Sequence, residues 1–162
     1  MDLQLQLLAV QSGCTLDPFF YHIDFTPATA STNTTGQFVV QSDAAFMILG
    51  TSYIVTDTSN AAVANLQPFG SGGASSFSPF LITQMDQGAG RNLQNLPVEI
   101  DSVFGLGREP YVWRVPKILD QNSTYTVTVQ NLSATDRNLR LTFHGCKVFG
   151  QVGAFLARLR VS

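Results

Sequence analysis

Thr124-Tyr125-Thr126-Val127-Thr128-Val129-Gln130 and, a few residues later, Leu139-Arg140-Leu141-Thr142-Phe143 are the stretches that decide the fold. Both alternate with period two, the repeat of a strand with one buried face: Tyr125, Val127 and Val129 point in, Thr124, Thr126 and Thr128 point out. With Ala134-Thr135-Asp136 as the turn, the pair reads as a β-hairpin. Upstream, Phe19, Tyr21, Ile23 and Phe25 alternate with Phe20, His22 and Asp24, another half-buried strand. Gly36 to Val40 gives a short strand. Ala45 to Thr56 is apolar on both faces, which marks a central strand, with Gly50 as a bulge or bend. Phe80 to Met85, a turn over Gln87 to Gly90, a return at Arg91 to Leu93, and Val98 to Ile100 follow. About eight strands without a repeat imply one all-β domain, a two-sheet sandwich of jelly-roll type.

The ends read differently. Leu3, Leu5 and Leu7 alternate with Gln4 and Gln6, as a strand or an arm laid on a neighbour. After Gly150 and Gly153 comes a second apolar end containing Phe155, Leu156 and Leu159. The expected division is an N-terminal arm or strand over 1–16, the sandwich over 17–149 and a C-terminal arm over 150–162. Apolar chain ends of this kind are expected to reach another subunit, which makes the protein an oligomer. Gly70 to Ser76, nearly devoid of side-chain area, reads as a long exposed loop inside the single domain.

Charged residues make up only 12% of the 162, against roughly a quarter in ordinary globular proteins. Ser, Thr, Asn and Gln together number 48, so the surface is polar but sparsely charged, which suits packing against other protein. The net charge is −2 and no basic run exists, which argues against nucleic-acid binding. No apolar stretch nears the roughly 20 residues of a membrane helix, and the opening Met1-Asp2-Leu3 lacks the basic start of a secretory leader. Cys14 and Cys146 are a single distant pair, read as two reduced thiols.

The charges that exist are concentrated. Glu99, Asp101, Arg108, Glu109, Arg114, Lys117 and Asp120 are seven of the chain's twenty, within twenty-two positions. Glu99 and Asp101, two apart on one strand, would share a face at a spacing that a glycosidase acid pair can use, but the cations beside them favour an internal salt-bridge network or a protein-binding surface. Gly105, Gly107 and Pro110 place the middle of the segment in a loop, which favours the surface, and Tyr111 and Trp113 suit an interface anchor better than a sugar platform. His22 and His144 lack the neighbours of a metal site, and no nucleophile-elbow, phosphate-loop or Cys-x-x-Cys motif occurs. No cofactor is expected. The acceptor patterns at Asn33, Asn122 and Asn131 are discounted as glycosylation sites.

Three segments carry a family resemblance. Leu96-Pro97-x-Glu99-Ile100-Asp101 with Phe104-Gly105-x-Gly107, then Asn122-x-Thr124-x-Thr126-Val127-Thr128-Val129-x-Asn131-Leu132-Ser133, then Leu141-x-Phe143-x-Gly145-x-Lys147-Val148-Phe149 resemble the small jelly-roll cement or decoration proteins of tailed-bacteriophage virions. The resemblance implies a protein without enzyme activity on the capsid surface of a virion, made in the host cytoplasm. It implies the major capsid protein and further copies of itself, as a dimer or trimer, as partners. The interface residues expected from the sequence are Glu99, Asp101, Arg108, Glu109, Tyr111, Trp113, Arg114 and Lys117, with Leu3, Leu5, Leu7, Phe155, Leu156 and Leu159 at the ends. A receptor- or carbohydrate-binding jelly roll of a phage tail is the alternative, and a glycan-active enzyme using Glu99 and Asp101 is a third.

Overall fold

Among the described residues eight of nine strands pair in a nested order, a ribbon folded back on itself and then rolled up. The computed structural model describes residues 3–59, 78–88 and 92–159, without the side chains of Leu3, Leu5, Leu156, Arg158 and Leu159. The strands are β1 (Cys14–Ala28), β2 (Asn33–Val39), β3 (Ala45–Thr56), β4 (Phe80–Asp86), β5 (Val98–Glu99), β6 (Gly105–Leu106), β7 (Tyr111–Leu119), β8 (Thr124–Asn131) and β9 (Arg137–Gly150). β1 pairs with β9, β2 with β8, β3 with β7 and β4 with β5, all antiparallel. Rolling that ribbon places β1-β9-β3-β7 in one sheet and β2-β8-β4-β5 in the other, the jelly-roll arrangement. The two-residue β6 adds a short parallel pairing to β3.

The inner faces supply the main core. Tyr21, Ile23 and Phe25 of β1, Phe46 and Ile48 of β3, Tyr125, Val127 and Val129 of β8, and Leu139, Leu141 and Phe143 of β9 are all buried in one cluster. Its centre is aromatic: Tyr21 stacks on Phe38 at 4.5 Å and meets Phe46 edge-on at 4.8 Å. At one end Lys147, 7% exposed, lies 4.5 Å over the Phe19 ring and donates to Gln41 and Asp43. A buried ammonium so surrounded retains polar partners for its charge.

The sandwich, its central β3 and the Gly50 irregularity agree with the sequence, the register shifting between Ile48 and Gly50. The hairpin does not. β8 pairs with β2 and β4, β9 with β1 and β3, so the two alternating strands face each other across the core from opposite sheets. Asn131 holds the crossing: fully buried, it donates to the carbonyls of Ala28 and Thr135 and accepts from Ser133. A side chain so engaged is no glycosylation acceptor.

The ends are corrected as well. Leu3–Gln11 is a helix, α1, and Val152–Leu159 a second, α2, in place of extended arms, and β1 begins at Cys14 rather than after residue 16. A helix does not keep period-two positions on one face, so the stripe read from period two is broken. Both helices lie on the outer face of the β1/β9/β3 sheet, where Ala9, Cys14, Met47, Cys146, Val148 and Phe155 form a second cluster. Phe155 is therefore buried within its own chain, and the two cysteines are free, buried thiols. Leu7, at 61%, remains exposed. The Gly70 to Ser76 loop lies outside the described residues.

Candidate functional site

β7 owes its shape to its sequence. Tyr111 and Val112 pair with Thr51 and Gly50, and Lys117 to Leu119 with Ile48 to Phe46, so that Trp113, Arg114, Val115 and Pro116 all stand opposite the single residue Leu49. Pro116 cannot donate to a ladder, and a proline inside a strand pattern signals an edge or a bulge. Here it marks both. Among the described residues no strand pairs with the other side of β7.

The bulge turns side chains outward and opens the sandwich. Val112 and Val115 are 72% and 78% exposed, and Tyr111 is 44% exposed. Behind them Trp113 is half-buried against the core, its Nε1 donating to Thr51 Oγ1 at 3.1 Å, and that hydroxyl donates to the Val103 carbonyl at 2.5 Å. Between β7 and the opposite sheet lies an open groove of about 450 Å³. Its floor is Met85, Leu93, Val103 and Trp113, and its rim Tyr111, Arg114, Val115, Pro116 and Lys117.

The charges split into two kinds. Asp101 belongs to the fold: it sits in a 3-10 turn (Ile100–Ser102), accepts from the Tyr53 hydroxyl with one oxygen and from the Ser78 N–H, at 2.9 Å, with the other. Burial, reinforced by that carboxylate, raises the Tyr53 phenol far above its usual range, so it stays a donor. Glu99 ends β5 and is exposed, so the two acids do not share a strand face and the geometry assumed for a glycosidase pair is not formed. Arg108, Glu109 and Arg114 are exposed and Lys117 half-buried. The ion pairs among the described residues are His22–Asp24, Arg140–Asp24 and Lys147–Asp43, and none falls within 99–120. An internal salt-bridge network is thus not what these charges form.

One pairing went unread in the sequence. His144, mid-strand in β9, places Nε2 2.7 Å from Ser52 Oγ on β3, two strands that pair directly, and Phe20 meets its ring edge-on at 5.3 Å. Burial holds the imidazole below its usual value. Ser52 is itself 4% exposed, covered by that ring, so the pair closes the outer face of the sheet rather than presenting a nucleophile. No group of three or more His, Cys, Asp or Glu among the described residues is placed to hold a metal ion.

Comparison with known proteins finds no match: no family model, no curated protein and no solved structure is significantly similar to the chain.

Proposed function

We propose that this chain is a non-enzymatic virion structural protein that binds the outer surface of a bacteriophage capsid and cements neighbouring major capsid subunits, acting as a dimer or trimer. The observation that carries it is the β7 edge. Tyr111, Val112 and Val115 expose apolar area within five residues, beside Arg108, Glu109, Arg114 and Lys117, for which the described residues supply no ion-pair partner. Isolated exposed apolar residues need no explanation, but a cluster of them with unpaired charge on an open sheet edge is a surface suited to another protein. The resemblance of the segments around Glu99, Thr124 and Lys147 to phage cement proteins supports reading that protein as a major capsid subunit. Trp113 and Tyr111 beside the groove also suit the alternative, a carbohydrate-binding jelly roll.

The test is occupancy on empty, expanded capsids that lack the protein, with the double variant Arg114→Glu/Lys117→Glu beside the parent. The parent is expected to decorate the capsids. The variant should lose occupancy, while its melting temperature stays within the small range of exposed charge changes, about 0–1 kcal/mol per pair. Failure of the parent to bind, or full occupancy by the variant, overturns the proposal. Binding to a glycan array in place of capsids selects the alternative.

A further inference from the structure

We propose that the β7 edge takes up an extended acidic–apolar peptide segment of its partner as an added strand, whose inward side chains enter the groove beside Trp113. This deepens the docking-surface reading and rests on it. The geometry requires little. A strand laid beside β7 continues the β1-β9-β3-β7 sheet across the open flank of the sandwich, and strand addition to a free edge is a recurring mode of peptide recognition.

Side-chain direction sets the sequence of such a segment. Tyr111 pairs with Thr51 and Lys117 with Ile48, residues whose side chains belong to the inner face, so Tyr111, Trp113 and Lys117 stand on the groove side. Inward side chains of an added strand would therefore meet Met85, Leu93 and Val103, which favours Val, Leu or Phe. The edge is closed at one end, where Gln87 Nε2 donates to the Ile118 carbonyl at 3.1 Å, which leaves the stretch from Tyr111 to Lys117 for pairing.

Charge selects among partners. Arg114 and Lys117 are the charges of the stretch left for pairing, flanked by Arg108 and Glu109 before it and Asp120 after it, so this edge is locally cationic in a chain whose net charge is −2. An occupant with carboxylates between its apolar residues complements both the rim and the floor, whereas a lysine-bearing one is repelled.

The probe is an octapeptide alternating Glu with Val and Phe, fluorescently labelled. Three controls accompany it: the same peptide with Lys for Glu, one N-methylated at alternate residues to block strand hydrogen bonds, and self-association of the protein by sedimentation. The Glu peptide should bind and shift the backbone amides of residues 111–115 and 117. The Lys and N-methyl peptides, and the Glu peptide against Arg114→Glu, should each bind about tenfold more weakly or worse, a loss of roughly 1.4 kcal/mol. Equal binding of Glu and Lys peptides, indifference to N-methylation, or shifts confined elsewhere would overturn the inference. So would peptide-free self-association that moves the same amides, since the occupant is then a second copy. Loss of capsid occupancy by the charge-reversed variant without peptide binding leaves the docking surface standing and removes strand addition; peptide binding without capsid binding does the reverse.

Discussion

Two acids separated by one residue have opposite roles, and their environments decide which is which. Asp101 satisfies the Tyr53 hydroxyl and the Ser78 N–H, while Glu99 is exposed at the end of β5. Asp101→Ala leaves a buried phenol and an N–H without acceptors, which costs about 1–3 kcal/mol. At this chain length that is a drop of several degrees in melting temperature, at roughly 2–4 °C per kcal/mol. Glu99→Lys should change stability by no more than about 0.5 kcal/mol. Paired thermal melts check both, and equal losses would mean that Glu99 is also held within the fold. Spacing alone cannot separate the two, because the acceptor role of Asp101 depends on Tyr53, forty-eight residues upstream.

At the scale of elements, most strands were legible, though not β7, and their pairing was not. Period-two alternation in Tyr125/Val127/Val129 and Leu139/Leu141/Phe143 reports which face is buried, and both sets are buried. It is silent on whether the neighbour lies in the same sheet or across the core, which here depends on Asn131 tying the crossing to Ala28 and Thr135. The α1 helix was misread for a related reason: Leu-Gln alternation over the five residues 3–7 imitates a strand, and packing of Ala9 and Leu8 on the sheet decides against it. For the candidate site, the charge cluster with Tyr111 and Trp113 marked the segment, whereas the strand β7 and its four-residue bulge depend on the β3 register, which no local pattern displays. Two glycines give the fold a sharp test. A Cβ at Gly145 would collide with the Met47 carbonyl and the Phe46 ring, whereas one at Gly153, in the first turn of α2, meets nothing within 4 Å. Gly145→Ala should destabilise by about 1–3 kcal/mol or more. Gly153→Ala should stabilise by a few tenths to about 1 kcal/mol, through helix propensity. Chemical denaturation of both variants measures this, and a neutral Gly145→Ala would contradict the β3/β9 register.

For the molecule as a whole, acid should act in one direction through separate groups. Asp24 is held below the usual carboxylate range chiefly by its hydrogen bonds to Arg140, at 2.6 and 2.9 Å, and Asp43 likewise by Lys147. A depressed carboxylate contributes stability that is complete above its unfolded value, about 3.9, and is lost as pH falls through the folded one. His144 is depressed by burial from 6.5, so the unfolded chain takes up its proton first. Its contribution is complete above pH 6.5 and is lost as pH falls toward the folded value. The groups facing that ring are Ser52 from β3 and Phe20 from β1, with His22 and Asp24 of β1 and Arg140 of β9 further along the same sheet face. The melting temperature should therefore be level from pH 8 to 7, fall from about 6.5 as the unfolded chain takes up the proton that the buried His144 resists, and fall again below about 4. His144→Gln keeps a hydrogen-bonding group for Ser52 but cannot titrate. It should abolish the first fall and retain the second. If the variant loses as much between pH 7 and 5 as the parent, the first step does not belong to His144, and the Ser52–His144 contact is pH-silent.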